Sequence, residues 1–154
     1  MTLADLIKQP RFASPAHEAV LNVFATASYV AGEVSDTLAP FGVTQAQYNV
    51  LRILRGCHPG RYACSEIAER LLDRTPDVTR LLVRLESRGL LTRERAEHDR
   101  RVVEVTITEA GLDVLSQLDA PVDEAIRRVT SHLSDAELET LSGMLEALRT
   151  DQNQ

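Results

Sequence analysis

The residues best equipped for chemistry in this chain are arginines. Arg80, Arg84 and Arg88 stand four apart, and Arg100 and Arg101 sit side by side in a polar stretch shortly after. A guanidinium is permanently charged, planar and weakly hydrated, so it suits phosphate oxygens and base edges better than proton transfer. Nothing around these residues suggests catalysis. There is no nucleophile with a base, no carboxylate pair in a pocket, no phosphate-cradling glycine loop and no metal-spaced cluster, and no enzyme is expected. His98 beside Asp99 reads as part of a turn. Cys57 and Cys64 with His58 lack a structural zinc spacing, so buried or half-buried thiols are expected and no metal or other cofactor.

The stretch Thr75–Gly89, TPDVTRLLVRLESRG, must position the first three arginines. Thr75 suits a helix cap, Pro76 the first helical position, and Asp77 the positive end of the dipole. Val78, Leu81, Leu82 and Leu85 recur at helical spacing and predict a buried stripe, with Gly89 ending the helix. Upstream, Ser65–Leu72 predicts a shorter helix, with Ser65 as cap and Ile67, Ala68, Leu71 and Leu72 turned inward. Two helices separated by about three residues make a helix-turn-helix, whose second helix can enter a DNA major groove. Downstream, Leu91–Arg95 and Arg101–Ile107 predict two strands joined by a polar turn over Ala96–Arg100. Helix, turn, helix and hairpin in that order predict a winged helix.

The rest of the chain adds helix at both ends. Met1–Ala13 has weak periodicity and reads as a frayed arm. Ser14 and Pro15 open a long helix to about Ala39 with an apolar stripe from Val20 and Phe24 to Val34 and Leu38. Thr44 and Gln47 form a capping box for a helix to about Gly56, and a short strand is expected near Arg61–Cys64. Thr108 caps a helix whose stripe runs through Leu112, Leu115, Leu118, Val122, Ile126 and Val129, with Pro121 inside it expected to kink or break it. Ser134 and Glu137 cap a last helix to about Arg149. The fold class is therefore mainly α (α+β), divided into an arm at 1–13, an N-terminal helix at 14–40, a winged helix-turn-helix at 41–108 and C-terminal helices at 109–150. A reading head of about 50 residues does not need this much helix, so the terminal stripes are expected to pack on a second copy in a two-fold dimer.

The chain has 154 residues and a net charge of −6, unusual for a nucleic-acid binder, but the charge is unevenly spread. Between Arg61 and Arg101 ten Arg oppose eight Asp and Glu, a net of +2, while the remainder carries −8. That split suits a molecule offering phosphate a single surface. No apolar run approaches the roughly 20 residues that span a bilayer, and the N-terminus lacks a signal pattern. Two cysteines fit a reducing compartment. A cytoplasmic protein without membrane partners is expected.

In four segments the chain resembles the MarR family of bacterial transcription regulators: TQAQYNVLRIL (Thr44–Leu54), SEIAERLL (Ser65–Leu72), TPDVTRLLVRLESRGLLTR (Thr75–Arg93) and, most specifically, DRRVVEVTITEAG (Asp99–Gly111). The resemblance spans about Val20 to Arg149. It implies a homodimer on double-stranded DNA at a palindromic operator, with dimerisation helices at both ends and often release by a small ligand. Arg101 matches the family's minor-groove arginine and Asp99 the acid that orients it. A narrow minor groove concentrates negative potential, and arginine sheds hydration cheaply.

From helix-turn-helix geometry, Thr75, Pro76, Asp77, Thr79 and Arg80 lie where side chains reach base edges or flanking phosphates. Arg80 is the candidate for guanine or phosphate, Thr75 and Thr79 for phosphate or thymine methyl, and Asp77 for a cytosine amine or for helix stabilisation. Arg84, Arg88 and Arg100 are candidates for phosphate contacts, with pairing to Glu86 as an alternative for the first two. The Ser65 amide, at a helix start, could hold another phosphate. The family's ligand crevice, a place for anionic or aromatic effectors, maps to Tyr29, Phe41, Tyr48 and Arg52. No cysteine lies between Pro15 and Pro40, where peroxide-sensing relatives carry theirs. The competing reading is a winged-helix protein-interaction module without specific DNA binding. An arginine pre-aimed from the wing tip argues against it.

Overall fold

A computed structural model describes residues 2–9, 11–72, 77–97 and 99–150. The helices are α1 (Leu3–Ile7), α2 (Pro15–Leu38), α3 (Gln45–Cys57), α4 (Cys64–Arg70), α5 (Val78–Ser87), α6 (Glu109–Thr130) and α7 (Asp135–Arg149). The strands are β1 (Tyr62–Ala63), β2 (Leu91–Arg95) and β3 (Val103–Ile107), and a 3-10 turn at Ala39–Phe41 follows α2. β3 lies between β1 and β2, antiparallel to both, with Tyr62 opposite Val105 and Leu91 opposite Ile107. This is the expected winged helix-turn-helix flanked by longer helices.

Local chemistry sets most of the boundaries. The Thr44–Gln47 and Ser134–Glu137 capping boxes both form, and the Thr108 hydroxyl accepts from the Gly111 amide at 3.2 Å to open α6. Gly89 takes a left-handed φ of 71° just past α5, the backbone region that glycine enters without a Cβ clash.

One core joins every layer of the head. Leu38 of α2, Leu51 and Leu54 of α3, Ile67 of α4, Leu82 and Leu85 of α5, Leu91, Val105, and Leu115 and Leu118 of α6 are all fully buried together. Truncating one such leucine to alanine typically costs about 2–5 kcal/mol, so this cluster fixes where α5 sits.

Several expectations need correction. The N-terminal arm is not simply frayed, because the Asp5 carboxylate takes the Thr2 amide and hydroxyl and α1 then buries Leu3. A single turn is too short to show periodicity, though its capping box was present in the sequence. α4 starts before Ser65, with Ala63 at the cap position, and the Glu66 carboxylate accepts the Ala63 amide at 2.8 Å. Ile67 and Leu71 are buried as expected, but Ala68 and Leu72 are exposed, Leu72 at 87 %. α4 ends at Arg70, and Leu71 is already extended, so Leu72 no longer follows the helical phase.

The expected cap Thr75, together with Pro76, lies outside the described residues, as does His98. The described recognition helix begins at Val78 with Asp77 as its cap. The sequence offers two good cap residues there, and aspartate caps at least as well as threonine. β3 starts at Val103 rather than Arg101, because Asp99 closes a turn through both its side chain and its carbonyl. α6 runs unbroken through Pro121. Proline removes only one helical hydrogen bond there, and Leu118 and Val122 on either side are anchored in the core.

Candidate nucleic-acid interface

The recognition helix separates its two tasks by face. Leu82 and Leu85 are buried while Asp77, Thr79, Arg80 and Arg84 are exposed. The Asp77 side chain accepts from the Arg80 amide at 3.1 Å, which satisfies a first-turn donor and places the carboxylate at the positive end of the dipole. That bond occupies part of the acceptor capacity a cytosine amine would need.

At the wing tip Asp99, Arg100 and Arg101 are all exposed. Asp99 Oδ1 accepts from the Arg101 backbone amide at 2.9 Å, and the Asp99 carbonyl accepts from the Val102 amide at 2.9 Å. Asp99 therefore orders the backbone that carries Arg101. Arg95, on β2, donates to the Arg100 carbonyl at 3.1 Å and ties the far side of the same turn. Ser65 lies exposed in the first turn of α4.

The arginines counted as one positive segment divide by partner. Arg61 pairs with Glu104 at 2.9 Å, and Arg93 with Glu86 at 2.6 Å. The hydrogen bond from Arg93 holds the Glu86 carboxyl below its ordinary range. Arg70 stacks over the Tyr62 ring at 4.3 Å, and Arg88 donates to backbone carbonyls of Phe41 and Gly42. Arg88 therefore joins neither Glu86 nor the exposed arginine pair. Among the described residues Arg80, Arg84, Arg100 and Arg101 enter no ion pair. They stand on the recognition helix and at the wing tip of a chain whose net charge is −6.

This order of elements, with exposed arginines on the second helix and on the hairpin, can be set against known proteins. A family model described as MarR family matches residues 43–103. The HTH-type transcriptional repressor MdtR of Bacillus subtilis (strain 168) is 30 % identical over 126 residues, covering 79 % of this chain and 80 % of that protein. The chain belongs to the MarR family. It is accordingly a DNA-binding transcription regulator and not an enzyme. A MarR transcription factor from Planctomyces limnophilus is similar at 39 % identity and a TM-score of 0.70, over 89 % of this chain and 99 % of that one. A cysteine-to-serine mutant of E. coli MarR complexed with operator DNA is similar at 25 % identity and a TM-score of 0.75, over 83 % and 91 % of the two chains.

Of the four residues mapped to a MarR-type ligand crevice, Tyr29 and Arg52 line different cavities. Tyr29 lines a cavity of about 330 Å³ between α1 and α2, with Leu3, Leu6 and Asn22. Tyr48 is buried in the core, its phenol pushed up by burial, with the Arg52 guanidinium 5.8 Å from its ring. Arg52 also lines a cleft of about 290 Å³ with Asn49, Ile53, Arg70 and Leu72. Phe41 packs against the core at the end of the 3-10 turn. Arg70 and Leu72 reach this cleft because α4 ends at Arg70 and Leu71 is already extended.

Cys57 and Cys64 are half-buried free thiols, as expected. Burial pushes both thiols up, away from the thiolate that reactivity needs. No helix among the described residues is long and apolar enough to cross a membrane.

Proposed function

We propose that this chain is a homodimeric repressor acting in the cytoplasm on a palindromic operator and released by a small anionic or aromatic ligand. The carrying observation is the set of exposed arginines that enter no ion pair among the described residues, Arg80, Arg84, Arg100 and Arg101, on the recognition helix and wing of a chain with net charge −6. In this reading α5 enters the major groove, where Arg80 and Thr79 reach base edges or adjacent phosphate. Arg84 and Arg100 hold phosphates. Arg101, carried on the turn that Asp99 closes, enters the minor groove. Asp77 and Ser65 are exposed on the two helices of the reading head, and Thr75 and Pro76 are assigned to the same DNA contact.

Residues 14–40 and 109–150 serve dimerisation and 41–108 reads DNA. Support for a second copy comes from apolar side chains left in solvent: Phe24 is 68 % exposed, Met144 63 % and Leu148 61 %, and α7 has no buried residue. Apolar surface on this scale marks an interface. For the ligand, the cleft of Arg52, Arg70, Ile53 and Leu72 joins two cations to an apolar wall, a fit for an aromatic carboxylate.

The test is gel-shift binding of the purified protein to its upstream intergenic DNA across a salt series, beside Arg101→Ala. With Arg84 and Arg100 of each protomer on phosphate, a dimer gives a slope of log affinity on log salt on the order of −4, steeper where Arg80 also meets phosphate. A discrete inverted repeat, a steep slope and a large loss in the variant support the reading. Binding no better than to random DNA at moderate salt overturns it.

A further inference from the structure

The C-terminal end of the recognition helix is gripped from two sides. Arg88, the C-cap residue of α5, donates to the Gly42 carbonyl at 2.6 Å and to the Phe41 carbonyl at 3.3 Å. Those carbonyls belong to the turn that ends α2, where Gly42 sits at a left-handed φ of 64°. On the other side the Thr108 hydroxyl donates to the Gly89 carbonyl at 2.7 Å, the Thr108 amide donates to the Leu90 carbonyl at 3.2 Å, and the same hydroxyl caps α6. The Gly111 backbone approaches the Leu90 carbonyl so closely that no Cβ fits between them. Three successive residues, Arg88, Gly89 and Leu90, thus tie α5 to both α2 and α6.

We propose that Arg88 is a positioning residue for DNA recognition. It does not contact DNA; it fixes the angle of α5 against α2, and through α2 the separation of the two recognition helices. The proposal rests on the two-fold operator reading above. Two arguments carry it. A guanidinium fork on two carbonyls fixes direction as well as distance, and each of its bonds is charge-assisted. A phosphate contact, in contrast, would have to break both bonds. Arg61 and Arg93 hold neighbours on adjacent strands and helices, whereas Arg88 bridges the reading helix to the end of a helix carrying exposed apolar surface.

The test uses full-length wild type, Arg88→Ala, Arg88→Lys and Arg84→Ala. Each is titrated onto inverted repeats whose half-site separation is lengthened or shortened by one or two base pairs, across a salt series, and hydrogen exchange is followed at the Ala39–Val43 turn. Wild type should prefer one separation by about tenfold or more, since half-site spacing mirrors dimer geometry. Arg88→Ala should flatten that preference to about threefold or less with an unchanged salt slope, and should speed exchange in the turn while the protein remains folded. Arg88→Lys, which keeps the charge without the fork, should fall between. Arg84→Ala should behave oppositely, losing salt slope while keeping the spacing preference.

A uniform affinity loss with a salt slope reduced by about two, one for each protomer, would make Arg88 a phosphate contact and overturn the proposal. Faster exchange with intact spacing preference overturns it too, reducing Arg88 to a local brace. A wild type with no spacing preference overturns the two-fold operator reading and the spacing role together; exchange still decides the clasp, and unchanged exchange in Arg88→Ala overturns that as well.

Discussion

Asp77 caps the recognition helix by accepting the backbone amide of Arg80 at 3.1 Å, so a residue proposed to face DNA also sets the helix on which Arg80 stands. Asp77→Ala should lower stability by about 1 kcal/mol, and Asp77→Asn, which keeps a capping oxygen, should restore most of it. Chemical denaturation of both variants tests this. If the aspartate instead reads a cytosine, alanine will change base preference at one operator position without moving the denaturation midpoint.

Arg80→Ala and Arg101→Ala should each weaken operator binding by about 1–3 kcal/mol per half-site. The two should differ in what they relax. Arg80→Ala is expected to change discrimination at a major-groove position, and Arg101→Ala to weaken preference for narrow, A·T-rich flanks. Binding to a library of single-base operator variants distinguishes them.

Phe24→Glu and Leu141→Glu place a charge on apolar surface that a monomer leaves in water. Light scattering should show wild type at twice the chain mass, and either variant shifted toward the monomer with its helix content retained. A wild type that runs as a monomer at micromolar concentration would remove the dimer from the proposed function.

Gly111→Ala should destabilise the fold by about 1–3 kcal/mol, because the new methyl meets the Leu90 carbonyl and the Ile107 side chain at a junction of backbone with backbone. The denaturant midpoint reads this directly, and an unchanged midpoint would mean that α6 can slide away from the wing.

Acid should weaken the brace between α5 and β2. The Arg93 guanidinium hydrogen-bonds the Glu86 carboxylate and holds its pKa below the ordinary value. A depressed carboxyl contributes stability that is complete above its unfolded-state pKa and is lost as pH falls through the lowered folded-state value. Glu86→Gln should therefore be less stable than wild type at neutral pH, with the gap closing as pH drops through that range. Melting temperatures from neutral to acid pH check it, and a gap that persists at low pH would mean the loss is one of packing.

The sequence by itself determined the elements. The capping boxes at Thr44 and Ser134, the Thr108 cap, the stripe through Leu82 and Leu85 and the β2 boundaries were legible because caps, turns and periodicity act between residues at most a few positions apart. The positive segment was legible too, but only as a sum of charges. Which of its arginines stay free for phosphate was decided in three dimensions, since Arg61 meets a glutamate and Arg88 meets carbonyls more than forty positions away in the chain. Tertiary anchoring likewise carried α6 through Pro121, against a local preference to break. Local rules fix what an arginine or a proline prefers; the neighbours that arrive from distant chain decide whether that preference is used.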